Sequence, residues 1–177
     1  VYFKVTPTSQ GDIGTYSLHT LVIRSINPDQ YEPNNTSAAA YNLGTVNSNS
    51  QNYNINANFH VTTDNDYYKI NLPAGYSYTV NADLLDSYND NNYTADAHFA
   101  TSTDGNDWSL NHGSSMPELT LPDGGTVYFR VLPYTDYEIG TYKLQISVAR
   151  LDGIEPDMYE PNNTVNTSYL LATISEQ

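Results

Sequence analysis

Apolar and polar residues alternate with a period of two along most of the central chain. Tyr53, Ile55, Ala57, Phe59 and Val61 interleave with Asn52, Asn54, Asn56, Asn58 and His60, which predicts a strand with one buried face. After Asp64-Asn65-Asp66 the pattern resumes with Tyr68, Ile70 and Leu72, and Pro73-Ala74-Gly75 turns the chain. Tyr76, Tyr78, Val80, Ala82 and Leu84 form the next apolar row, and Ala95, Ala97 and Phe99 another beyond the Asn/Asp-rich stretch 86–92. Asp104-Gly105 is a hairpin signal. Leu119 and Leu121 lead into a Pro122-Asp123-Gly124-Gly125 turn, Val127, Phe129 and Val131 follow, and Tyr142, Leu144, Ile146 and Val148 close the unit. Many short strands, each with one apolar face, predict an all-β protein: an antiparallel, jelly-roll-like β-sandwich. No stretch sustains an apolar period of 3.6. Thr36 to Leu43, with three alanines in a row, reads as an edge strand, with one helical turn as the alternative.

The pattern also repeats. Tyr31-Glu32-Pro33-Asn34-Asn35-Thr36 recurs unchanged as Tyr159-Glu160-Pro161-Asn162-Asn163-Thr164. Val1-Tyr2-Phe3-Lys4-Val5 corresponds to Val127-Tyr128-Phe129-Arg130-Val131, and Ile13-Gly14-Thr15-Tyr16 to Ile139-Gly140-Thr141-Tyr142. The expected organisation is tandem repeats with a period of about 126 residues. Residues 1–28 would be the C-terminal strands of a preceding repeat, 29–154 a complete sandwich, and 155–177 the N-terminal segment of a following one. The opening Val1-Tyr2-Phe3-Lys4-Val5 reads as mid-strand, so a window on a longer protein is expected. The repeated phrase then stands at the joint between sandwiches, with Tyr31 and Tyr159 as anchors and Pro33 and Pro161 as stiffeners. Its Glu and Asn side chains (Glu32 and Asn34, Glu160 and Asn162) carry oxygens suited to a hard cation. The competing reading is a stiff turn that only begins a domain.

Charge narrows the partners. Twenty acidic against six basic residues give a net charge of −14. That excludes the basic surface needed for nucleic acid or anionic lipid, and no apolar run of about 20 residues is present for membrane insertion. Cysteine is absent, so neither disulfides nor thiolate metal sites arise.

Several motifs in order resemble one family. Asp29 and the Tyr31-Glu32-Pro33-Asn34-Asn35 opening precede Asp64-Asn65-Asp66-Tyr67-Tyr68-Lys69-Ile70-Asn71-Leu72-Pro73-Ala74-Gly75. Ala95-Asp96-Ala97-His98-Phe99, Asp104-Gly105, Leu121-Pro122-Asp123-Gly124-Gly125, Tyr128-Phe129-Arg130-Val131 and Gly140-Thr141-Tyr142-Lys143-Leu144 follow. This order resembles the bacterial pre-peptidase C-terminal domain and, more distantly, the collagen-binding domains of clostridial collagenases. The resemblance implies a non-catalytic accessory module of secreted or cell-surface proteins that often binds calcium near its N-terminal linker. The positions matching the ligands of that family are Glu32, Asn34, Asp64 and Asp66, with Asn35 where an Asp is common. No motif for collagen contact can be placed, so collagen binding is not carried over.

Other chemistry is weaker. His19, His60, His98 and His112 show no zinc spacing and read as surface residues, although Asp96 and His98 share one strand parity. His112-Gly113-Ser114-Ser115 sets serine near histidine without a nucleophile elbow, and no carboxylate pair stands in a cleft motif. A non-enzyme is expected. Tyr67, Tyr93, Trp108 and Tyr128 fall on polar faces or loops and could bind a glycan or matrix protein; the alternative is that they cover sheet edges. The leading expectation is an extracellular spacer or adhesive repeat whose partners are neighbouring repeats or identical chains, by strand complementation. A polymer-binding accessory module of a secreted peptidase is the alternative.

Overall fold

The structure is a computed structural model that describes residues 2–18, 26–151 and 168. Eight strands follow a single 3-10 turn at Ser37–Ala39: β1 Tyr41–Thr45, β2 Ser50–Phe59, β3 Asp66–Leu72, β4 Tyr78–Leu85, β5 Ala97–Ser102, β6 Leu119–Leu121, β7 Gly125–Pro133 and β8 Gly140–Arg150. They form two four-stranded sheets, in the orders β1-β3-β7-β5 and β2-β8-β4-β6. The sandwich follows from the alternation. Tyr68, Ile70 and Leu72 of β3, Val127, Phe129 and Val131 of β7 and Phe99 of β5 face Ile55, Ala57 and Phe59 of β2, Val80, Ala82 and Leu84 of β4 and Tyr142, Leu144 and Ile146 of β8. All of these are buried in one core.

Most pairs are antiparallel, the longest being β2 with β8 from Ser50↔Ala149 to Phe59↔Gly140. One pair departs from the expected pattern. β1 runs parallel to β3, with an irregularity between Asn42 and Thr45. Gly44, at φ 109°, supplies the backbone shape that this irregularity needs. The stretch from Thr36 to Leu43 is thus both a helical turn and part of an edge strand. Thr36 Oγ1 accepts the Ala39 N–H at 3.2 Å, and the strand begins at Tyr41. Val61 lies beyond the end of β2 and is exposed. The Asp104-Gly105 turn does fold the chain back, but its return arm forms no strand beside β5 and meets it through a bridge between Phe99 and His112 and through bonds between Ser109 and Thr101.

Residues 2–18 carry no strand and are exposed. The second copy of the phrase, with Tyr159, Glu160, Pro161 and Asn162, lies outside the described residues, as does all of 155–177 except Ser168. Among the described residues no helix is long and apolar enough to cross a membrane.

Candidate metal centre at the linker

The linker reaches the sandwich through a sequence of local bonds. Asp29 Oδ1 accepts the Tyr31 N–H at 2.9 Å, and its Oδ2 accepts the N–H of Asn58, near the end of β2, at 2.7 Å. Tyr31 then packs edge-on against Tyr41 and Tyr68, with centroids 5.0 and 5.6 Å away. Glu32 turns back on its own segment, where Oε2 accepts from the Asn34 N–H at 3.0 Å. The Asn34 carbonyl accepts the Tyr67 N–H at 3.0 Å, which brings the linker beside the entrance to β3.

At that entrance the strand parity decides the position of Asp66. It shares the inward row of Tyr68, Ile70 and Leu72 and is fully buried. Its Oδ2 accepts the Tyr142 hydroxyl at 2.5 Å, and the Tyr142 and Tyr68 hydroxyls lie 2.8 Å apart. Asp64, also buried, accepts the His60 N–H at 2.8 Å through Oδ2, and the same oxygen lies 2.5 Å from His60 Nδ1. Glu32 Oε1 lies 3.1 Å from that Nδ1. Ligand-type atoms of Glu32, His60 and Asp64 all fall within 4.8 Å of one another.

Hydrogen bonds do not exhaust this cluster. Glu32 Oε1, Asn34 Oδ1, Asp64 Oδ1 and Asp66 Oδ1 are buried oxygens with no hydrogen-bond partner, and Asn34, wholly buried, also leaves Nδ2 unpaired. Buried polar atoms are normally bonded, so four bare oxygens in one neighbourhood call for a partner. Electrostatics points the same way. Burial, then the Asp64 charge, push the Glu32 carboxyl above its ordinary value, against the Asn34 N–H, which favours the charged form. Burial pushes Asp66 up to about 8; the Tyr142 hydrogen bond opposes this, and the charges of Asp64, Asp29 and Glu32 add to it. The Tyr68 and Tyr142 hydroxyls are pushed well above their usual range, first by burial and then by Asp66. Among the described residues no lysine or arginine forms an ion pair with these carboxylates; His60 does. A divalent cation would answer both the unpartnered oxygens and the excess negative charge.

Four of the five residues singled out as ligands, Glu32, Asn34, Asp64 and Asp66, therefore each present one buried oxygen without a hydrogen bond, that of Glu32 having His60 Nδ1 at 3.1 Å. Asn35 is placed differently. It is exposed at the rim, where its Oδ1 accepts the Asn65 N–H at 3.2 Å and its Nδ2 donates to Glu32 at 3.4 Å. His60 corrects the surface-histidine reading. β2 ends at Phe59, so His60 leaves the outward asparagine row and its ring turns to Glu32 and Asp64.

The aromatic residues lie elsewhere. Tyr67, Trp108 and Tyr128 are half-buried; Tyr67 and Trp108 meet edge-to-face at 5.5 Å, and the Arg130 guanidinium lies over the Trp108 ring at 4.7 Å. Tyr128 is paired with Lys69 across β3 and β7, as Arg130 is with Tyr67. Tyr93, half-buried, sits apart in the loop before β5. His98 and Asp96 do line one cavity, together with Tyr88, Asn111 and Tyr134. Burial and then the Arg130 charge hold the His98 ring below its usual range. His112 packs against Phe99 at 5.4 Å and has Nε2 3.2 Å from Ser109 Oγ rather than a bond to Ser114 or Ser115.

No family model and no curated protein matches this chain. Among solved structures it is similar to the pre-peptidase C-terminal domain of a collagenase from Bacillus anthracis, at 14% identity and a TM-score of 0.43, over 59% of this chain and 91% of that one. It is also similar to PliG, a periplasmic inhibitor of g-type lysozyme from Salmonella Typhimurium, at 18% identity and a TM-score of 0.37, over 60% of this chain and 96% of that one. The sandwich itself rests on the strand pairing described above, not on these likenesses.

Proposed function

We propose that this chain is a non-catalytic β-sandwich module of a secreted or cell-surface protein, whose N-terminal linker is locked to the sandwich by calcium. The observation that carries the reading is the set of four buried oxygens without hydrogen bonds, only one of which, on Glu32, has an ion-pair neighbour in His60. Two come from the linker, on Glu32 and Asn34, and two from the entrance to β3, on Asp64 and Asp66. An all-oxygen set with several carboxylates is what calcium takes. An ion shared between linker and strand would fix the angle at which the preceding segment joins the sandwich. That suits a spacer in a tandem array, extracellular, with neighbouring repeats or identical chains as partners.

The test is thermal unfolding of the whole chain in a calcium chelator and in calcium excess. Binding to the folded state alone should stabilise it by about 2.7 kcal/mol at a free ion concentration of 100 times Kd. Equal midpoints in the two buffers would remove the calcium lock.

A polymer-binding role is the second reading, favoured by the Tyr67–Trp108–Arg130 stack with Tyr128 nearby on the same two strands. A glycan and matrix-protein pull-down separates the two readings, because a spacer retains nothing.

A further inference from the structure

His60 gives the linker site a nitrogen that an all-oxygen calcium cage does not need. Its Nδ1 stands 3.1 Å from Glu32 Oε1 and 2.5 Å from Asp64 Oδ2. Without an ion these are an ion pair and a short hydrogen bond, which a metal at Nδ1 would have to displace. Two donors bound to one ion at about 2.1 Å are separated by roughly 3.0–3.4 Å, so Glu32 and His60 could share an ion without moving apart. Asp64 is closer than that through Oδ2, but its other oxygen, Oδ1, is buried and free. Asn34, two residues along the linker from Glu32, and Asp66, two residues along from Asp64, are wholly buried and each hold a further unpartnered oxygen. This is more than an acidic cluster, because the fully buried Asn34 side chain has no partner at either end and Asp66 has none at Oδ1.

Resting on the cation reading above, we propose that His60 is a direct ligand and that the site takes a first-row transition ion, such as Zn²⁺ or Co²⁺, more tightly than calcium. Imidazole with carboxylates suits these ions, whereas calcium gains little from nitrogen. Glu32, His60 and Asp64 supply one nitrogen and two anionic oxygens, which neutralise a divalent charge. Asn34 and Asp66 complete the shell or orient it.

The experiment uses the whole chain, stripped with chelator, then titrated with CaCl₂, ZnCl₂ and CoCl₂ by calorimetry, with the visible spectrum followed for Co²⁺. Wild type should bind Zn²⁺ at least about tenfold more tightly than Ca²⁺ and develop Co²⁺ d–d bands. His60→Gln replaces the nitrogen by an oxygen. It should weaken Zn²⁺ and Co²⁺ by about tenfold or more and leave Ca²⁺ within about threefold. His112→Gln controls for adventitious binding at other histidines and should change nothing. Tighter calcium than zinc in wild type, or equal Zn²⁺ affinity in wild type and His60→Gln, would overturn the proposal while leaving the calcium lock intact. Binding of none of the three ions would remove both readings. Should His60→Gln not fold, Co²⁺-induced broadening of the His60 ring resonances in wild type decides, and an unaffected ring counts against ligation.

Discussion

Tyr142→Phe isolates the buried hydroxyl chain on which the acidic cluster rests. Tyr142 has no exposed surface, and its hydroxyl donates to Asp66 Oδ2 at 2.5 Å and sits 2.8 Å from the Tyr68 hydroxyl. The phenylalanine ring fills the same space, so little cavity is created. What is lost is the hydrogen bond to a carboxyl whose Oδ1 already has no partner. Leaving such a group bare costs about 1–3 kcal/mol. The size depends on pH. Asp66 has an ordinary value of 3.8 and is pushed to about 8 in the folded chain, chiefly by burial. Between those values the folded chain keeps a proton that the unfolded chain has released. Ion-free wild type therefore loses this contribution to stability as pH rises from about 4 to about 8, and the loss then levels off. The Tyr142 bond holds the carboxyl down, so without it Asp66 titrates higher and the decline runs on past 8. Urea unfolding in chelator should show a loss of about 1–3 kcal/mol near pH 6, roughly 3–5 °C of melting temperature per kcal/mol, and a larger loss near pH 9.5. A cost below about 0.5 kcal/mol at both pH values, or the same cost at both, would refute the reasoning.

Two further substitutions test the frame that holds the site. Gly124→Ala places a methyl group on a backbone at φ +64°, 2.3 Å from the Pro73 carbonyl oxygen, so it should lose about 2–4 kcal/mol in urea unfolding; a change within error would mean that the β6–β7 turn moves aside freely. Asp86 accepts from the N–H groups of Tyr88 and Asn89 through Oδ1 and of Ala97 through Oδ2, so Asp86→Ala should cost about 2–3 kcal/mol and speed hydrogen exchange at Ala97, while unchanged exchange there would show that the bond is not needed to seat β5.

The sandwich was readable because the period-two pattern is a direct imprint of burial. The rows Ile55-Ala57-Phe59, Tyr68-Ile70-Leu72, Val80-Ala82-Leu84 and Leu144-Ile146-Val148 all face the core. The same parity could have shown that Asp66 is buried, since it precedes Tyr68 by two. The linker carries no period, so only the exact repetition of its phrase marked Glu32 and Asn34, and nothing local shows that Asn34 is wholly buried. His60 was misjudged for a related reason. Alternation assigns it to the outward row of Asn56 and Asn58, but that assignment ends with the strand at Phe59. The parallel pairing of β1 was hidden because Asn42-Leu43-Gly44 has no clean alternation, and pairing direction depends on chain path rather than on residue type. The Thr36 cap, by contrast, was a helix-start signal in plain view before three alanines.

The contacts that seat the linker differ in chemistry, and that difference shapes what an ion could do there. The Asp29 bond to the Asn58 N–H and the edge-on packing of Tyr31 between Tyr41 and Tyr68 need no cation. They place residues 29–31 against β2, β1 and β3 whether or not the acidic cluster is filled. Glu32 and Asn34 come next, Glu32 already beside His60 and Asp64, and Asn34 bonded through its carbonyl to the Tyr67 N–H. An ion would therefore meet a site whose halves are held together in advance, and little ordering cost would be charged against its binding. Loss of the ion would correspondingly loosen residues 32–35 and 60–65 without dismantling the sandwich, which meets the cluster through Asp66 at the start of β3 and its bond to Tyr142. On the proposed reading, a joint that stiffens reversibly on a fixed scaffold would suit a link between modules.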